Sequence, residues 1–263
     1  MSENHPEGSI TTEARGHVWL MGLNRPAKYN GLTPKMFTEL TDAYKELESN
    51  DELRVGILFG HGDHFTAGLD LPKFREYMKR GERAFDQSEV DIYGQQNKLS
   101  KPLITAVHGI TYTAGIEMAL AGDIIIAARG ARFSQLEPLR GVMATGGATF
   151  RFVERCGWGN AMLHLLTSDE FSAEEALRIG LVQELVEPGE QLNRAVELAE
   201  KIAQGAPQAV YATKASSMTY AESGEAACIA EFAKIQKRLA NTEDAEEGVS
   251  AFKERRSPVF KGV

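Results

Sequence analysis

The chain has 263 residues, 43% of them apolar and 25% charged, enough for one large α/β domain with a substantial core. Its formal net charge of −8 argues against a general nucleic-acid or acidic-membrane surface. The two cysteines, Cys156 and Cys228, lie far apart with no C-x-x-C pattern, which fits a reducing compartment better than a disulfide framework. The polar start MSENHPEGSI has no apolar core of a secretory signal. Glu117 and Asp123 interrupt the best candidate for a membrane span, so no membrane association is expected and the default location is cytoplasmic.

Residues 1–10 read as a flexible tail. His17–Leu23 (HVWLMGL) reads as a strand, followed by the turn NRPAKYNG. Thr33 and Pro34 offer a cap and a first-turn proline for an amphipathic helix, with Met36, Phe37, Leu40, Ala43, Tyr44 and Leu47 at helical spacing. Val55–Phe59 is a second strand running into the loop GHGDHFTAGLDLP. Residues 72–100 are charged and only partly periodic, and read as helices with a mobile cover between them. Leu103–Val107 and Ile124–Ala128 are short apolar runs suited to buried strands, separated by the small-residue turn Thr111–Gly115 and an apolar segment carrying Glu117. Glu137 ends the run Phe133–Leu136, and Gly146-Gly147 introduce a helix over Ala148–Arg155. Ser172-Ala173-Glu174-Glu175 is a capping box, and Leu181–Val186 a last strand. Four helical stretches then follow with no strand signal, broken at Pro207 and Gly224. The alternation up to about residue 188 predicts an α/β body over 11–188 and a helical region over 189–263.

Three features carry chemistry. Phe65-Thr66-Ala67-Gly68 follows a strand, and Thr113-Ala114-Gly115 follows another and opens a helix. Backbone N–H groups at small residues approach a ligand closely, and those at a helix start have no intrahelical acceptor. Two of them converging on one oxygen form an oxyanion hole. Glu117 and Glu137 can then supply a base and an acid beside it. Each feature alone has a plainer reading: tight packing for the turns, a dipole-favoured first-turn residue for Glu117 and a solvated strand end for Glu137. His61-x-x-His64 has only Asp63 as a nearby third group, so no metal is expected. His108 reads as a hydrogen-bonded structural histidine, and Trp19 and Trp158 as core.

Taken in order, the motifs NRPAKYNGL (24–32), HFTAGLDL (64–71), AVHGITYTAGIEMALAGD (106–123), FSQLEPLRGVMATGG (133–147) and the terminal PVFKG are similar to those of the enoyl-CoA hydratase/isomerase family, the crotonase superfamily. The resemblance runs from about Gly16 to the C-terminus. It implies an α/β crotonase-like spiral of β-β-α units with a C-terminal helical trimerisation region, assembled as a homotrimer or a dimer of trimers. It implies that the N–H groups of Ala67 and Ala114 polarise a thioester carbonyl. Glu117 then helps activate a water for attack at C3, and Glu137 delivers a proton to C2. It also implies that Arg25, Ala27, Lys28 and Tyr29 in one turn, and Ala67, Gly68, Leu69 and Asp70 in another, hold coenzyme A. Phe260 and Lys261 match residues that cover the nucleotide, often from a neighbouring subunit. Coenzyme A would enter only as part of the acyl-CoA substrate, with no permanently bound cofactor.

The chain departs from the family pattern at three places. Thr113-Ala114-Gly115 stands where consecutive glycines are common, His108 where asparagine is usual, and Thr145 where short-chain hydratases often have glycine. The same oxyanion hole serves double-bond isomerisation, thioester hydrolysis and carbon–carbon cleavage, and a non-catalytic binding role is a further alternative. The retained glutamate pair favours hydration.

Overall fold

The computed structural model describes residues 6–82 and 90–263. Residues 1–5 of the expected tail and 83–89 of the expected cover lie outside the described residues. The remainder of the tail is not loose. Ser9 opens strand β1 (Ser9–Arg15), which pairs antiparallel with β2 (Val18–Asn24), with Ser9 opposite Asn24. Thr33 Oγ1 donates to Glu7 O at 2.8 Å, and Ile10 N donates to Glu39 Oε2 at 2.9 Å. The strand is hard to see in SITTEAR because it is a sheet edge whose second half is solvent-exposed and polar.

Helix α1 (Pro34–Ser49) forms as its cap predicts: Thr33 Oγ1 accepts from Met36 N, Pro34 occupies the first turn, and the apolar stripe from Met36 to Leu47 is buried. There follow β3 (Val55–Gly60), α2 (Leu71–Arg80), β4 (Leu103–Val107), β5 (Ile110–Tyr112), α3 (Ala114–Ala121), β6 (Ile124–Ala128) and β7 (Arg132–Ser134). Then come α4 (Ala148–Cys156), α5 (Trp158–Thr167), β8 (Phe171–Ser172), α6 (Ala173–Arg178) and β9 (Glu184–Val186). The helical end comprises α7 (Gln191–Ala203), α8 (Pro207–Leu239) and α9 (Glu243–Glu254).

One sheet has the order β1-β2-β3-β4-β6-β9, parallel throughout except for the β1–β2 pair. A small second sheet, β5-β7-β8, stands beside it. Parallel strands need both faces covered, which is why Val55–Gly60 and Leu103–Val107 read as continuous apolar runs. Met21, Leu58, Leu103 and Ile125 face the larger core with α1 and α3. Val18, Ile57, Ile104 and Ile126 face Ala195, Ala199 and Ala203 of α7. Alanines four residues apart let α7 lie close to the sheet. The helical region expected from residue 189 therefore begins with a helix that completes the body's core.

Two further expectations need correction. Trp158, expected in the core, is 70% exposed at the start of α5. Ser172 does cap α6, but Glu175 turns to Arg178 and does not close the box. Trp19 packs partly buried against the core and donates to Ala43 O. Gly224, in a left-handed conformation (φ 80°), breaks α8 as expected. No helix among the described residues is long and apolar enough to cross a membrane.

Candidate active site

The turns after β3 and after β4–β5 and the segment after β7 meet around a cavity of about 340 Å³. Ala67, Leu69, Thr113, Ala114, Glu117 and Glu137 all line it, together with Phe37, Phe74, Tyr93, Val142 and Met143. The cavity wall thus combines carboxylates with apolar and aromatic side chains.

The β3 turn presents a different donor from the one expected. Ala67 N donates to Tyr29 O at 2.9 Å, Gly68 N to Thr66 Oγ1 at 3.0 Å, and Asp70 N to Leu32 O at 2.9 Å. Leu69 N–H is left without an acceptor among the described residues. Ala67 lines the cavity, but its N–H is spent on the neighbouring turn, so the free donor there belongs to Leu69. A sequence cannot show this, because the partner, Tyr29 O, is 38 positions away. Across the cavity, Ala114 is the first residue of α3, and its N–H has no intrahelical acceptor.

Glu117 lies one turn into α3 and is 4% exposed. Its Oε1 accepts from Gly146 N at 2.7 Å and Ala148 N at 3.2 Å, so the glycine pair before α4 orients the carboxylate. Arg151 holds that turn in place, donating to Tyr93 O at 2.6 Å, Gly94 O at 2.7 Å and Gly146 O at 3.4 Å. Glu137 caps a 3₁₀ turn over Pro138–Arg140 and is not a strand end. Burial pushes its carboxyl up to about 7, and the neighbouring Glu117 adds to the rise. Gln135, fully buried, brings its amide to 3.0 Å from Glu137 Oε1 and 2.8 Å from Oε2, and donates to both when the amide is turned with its nitrogen toward the carboxyl. Neither Gln135 nor Arg151 stands out in the sequence. Gln135 lies only two positions before Glu137, but which side chains face each other is set by the turn after β7.

Donation from Gln135 favours ionised Glu137 over the neutral acid. Gln135→Leu therefore moves the titration of Glu137 to higher pH, which carboxyl-resolved NMR or the alkaline limb of the pH–rate profile will report.

The two segments assigned to coenzyme A are brought together by Ala67 N–Tyr29 O, Leu32 N–Gly68 O and Asp70 N–Leu32 O. Ala27, Lys28 and Tyr29 are exposed on a 3₁₀ turn, and Tyr29 stacks on His64. Arg25 is not available to a phosphate. It is 8% exposed, and its guanidinium donates to Pro6 O, Gly31 O and Asp70 Oδ2. Asp70 is likewise taken up by Arg25. Phe260 and Lys261 lie away from the cavity of their own chain. Arg54, just before β3, donates to Phe260 O, and Asp244 accepts from Lys261 N and Gly262 N, which pins the tail at the opposite end of the strands. His108 Nε2 contacts Gly62 O at 2.8 Å, a structural position. His61 and His64 are engaged by Thr11 and Ile110 N.

Comparison with known proteins agrees with this architecture. The pattern of the enoyl-CoA hydratase/isomerase family matches residues 13–263. The chain is 34% identical to the (E)-benzylidenesuccinyl-CoA hydratase of Thauera aromatica, over 97% of this chain and 99% of that protein. It is 32% identical to the 2,3-dehydroadipyl-CoA hydratase of Escherichia coli K12, over 93% of this chain and 95% of that one. The crystal structure of a probable enoyl-CoA hydratase/isomerase from Mycobacterium abscessus has a TM-score of 0.93 and 42% identity, covering 97% of this chain and 98% of that one. The chain belongs to the enoyl-CoA hydratase/isomerase family, with its crotonase-type α/β fold and C-terminal helices.

Proposed function

We propose that the protein is an enoyl-CoA hydratase, adding water across the 2,3 double bond of an enoyl-CoA thioester to give the 3-hydroxyacyl-CoA. The observation that carries this reading is the meeting of two carboxylates, Glu117 and Glu137, in one cavity with two backbone donors, Leu69 N–H and Ala114 N–H, that have no acceptor among the described residues. Relatives named as hydratases support it. The thioester oxygen lies between the two N–H groups. Water attacks C3 as Glu117 takes its proton, and the double-bond pair moves toward the thioester as an enolate. The donors act most strongly there, because the charge develops on that oxygen. The proton on Glu137 forms the new C2–H bond, and exchange with solvent resets both acids.

Glu137 must be protonated to deliver that proton, and its carboxyl titrates at about 7. Activity is therefore expected to fall as pH rises through about 7, and Glu137→Gln removes that limb from whatever activity is left. The apolar flank formed by Phe37, Phe74, Val142 and Met143 accommodates the acyl chain. Lys28 and the exposed face of its turn serve the nucleotide end, and Phe260 and Lys261 reach it from a neighbouring subunit of a homotrimer or dimer of trimers. Exposed Ile229, Phe232 and Phe252 on α8 and α9 are in keeping with such an assembly.

Mass spectrometry on a panel of 2-enoyl-CoA thioesters tests the reading. Products heavier by one water are expected, whereas products of unchanged mass, or free coenzyme A, would replace hydration by isomerisation or thioester hydrolysis.

A further inference from the structure

The residue between the two halves of the oxyanion hole is not a glycine. Thr113 caps α3 with φ 51° and ψ −118°, backbone angles that a β-branched residue rarely adopts. Its N–H donates to Ser134 O at 2.9 Å and its carbonyl accepts from Glu117 N at 3.2 Å, so the surrounding structure holds it there. The side chain lines the cavity. Its hydroxyl lies against Gly68, where a Cβ on that residue would fall on Thr113 Oγ1. Gly68 immediately precedes Leu69, and Thr113 immediately precedes Ala114, so the hydroxyl sits where the two turns that carry the free N–H groups meet. Among the described residues that hydroxyl has no hydrogen-bond partner.

A strained backbone that is kept with a polar side chain in a cavity invites a functional reading. We infer that Thr113 contacts the substrate directly, its hydroxyl donating a third hydrogen bond to the thioester oxygen held by Leu69 N–H and Ala114 N–H. The inference rests on the acyl-CoA reading of the cavity, though not on hydration as such. Thr113→Gly would relax the backbone but leave the hole with two donors. The strain is the consequence of placing a hydroxyl where only the backbone of a glycine fits easily.

The test compares Thr113→Val, Thr113→Ser and Thr113→Gly with the wild-type protein. Hydration of crotonyl-CoA is followed, together with the red shift of a bound, conjugated cinnamoyl-CoA, which reports carbonyl polarisation. Thr113→Val keeps shape and strain and is expected to lose about 10- to 100-fold in kcat, the size of one lost hydrogen bond to developing charge. Its red shift should shrink while Tm stays put, and Thr113→Ser should retain both. Thr113→Gly should gain roughly 2–4 °C in Tm yet show the same loss of red shift. Wild-type kcat and red shift in both Thr113→Val and Thr113→Gly would overturn the inference. A wild-type protein that hydrates nothing would instead remove the hydratase reading, and the red shift alone would still decide the role of Thr113.

Discussion

Glu137→Gln and Glu117→Gln should each lower hydration of a 2-enoyl-CoA by roughly 10²- to 10⁴-fold, the range for losing a positioned acid or base. The two losses have different structural contexts. Glu117 is fixed by Gly146 N–H and Ala148 N–H on Oε1, and a glutamine oxygen can keep those bonds. The variant should therefore fold normally and lose only the basic oxygen. Glu137 lies beside the Gln135 amide, and burial lifts its carboxyl to about 7. In an unfolded chain the same group titrates near 4.5, so the folded protein binds the proton more tightly between these values. Its contribution to stability is complete below about 4.5 and is lost as pH rises to about 7, because the folded state must then hold a buried ionised carboxylate. A neutral amide removes that penalty. Glu137→Gln is thus expected to have a higher Tm than the wild type at pH 8 and a similar one at pH 4, while its turnover is poor at both. Calorimetry at the two pH values with steady-state kinetics checks this, and wild-type turnover in both variants would eliminate the two-carboxylate mechanism.

The second large effect is expected at Gly68. It has φ 94°, which an L-residue rarely adopts, and an added Cβ would meet Thr113 Oγ1 and come within 3.1 Å of Thr113 Cβ. Gly68→Ala must push the β3 turn away from α3, and that movement separates Leu69 N–H from Ala114 N–H. Misplacement of about 1 Å in such a pair costs on the order of 10²-fold in rate. The strain itself is of the order of 1–3 kcal/mol. Urea unfolding should show this loss of stability, and kcat/KM with crotonyl-CoA should fall by about 10²-fold or more. Thr113→Gly in the same chain removes the collision but not the positive φ, so stability should return only in part. Gly68→Ala with unchanged kcat/KM would mean that the β3 turn takes no part in holding the thioester.

Much of the body was legible in the chain because its signals are local. Thr33-Pro34 and a six-residue apolar stripe suffice to specify α1, and runs such as Val55–Gly60 announce strands buried on both faces. Glu117 and Glu137 could be singled out because carboxylates inside apolar sequence are rare. β1 leaves no pattern because an edge strand buries too little, and the exposure of Trp158 is not legible because apolar character says nothing of which surface remains open. By sequence Arg25 is a candidate cation for a phosphate, but Asp70, 45 positions away, already pairs with it.

The residue types needed for chemistry, their order and the elements that carry them are properties of the sequence, since each depends on periodicity, capping and turn preference within a few neighbours. Which backbone donor is free is another matter. Ala67 N–H meets Tyr29 O and Leu69 N–H meets no acceptor among the described residues, a distinction made by two turns packed side by side. The same holds for the titration of Glu137, set by burial and by Glu117 from another element, and for the Thr113 hydroxyl over Gly68. Hydrogen-bond satisfaction and desolvation depend on neighbours in space, and those neighbours exist only once the chain has closed on itself.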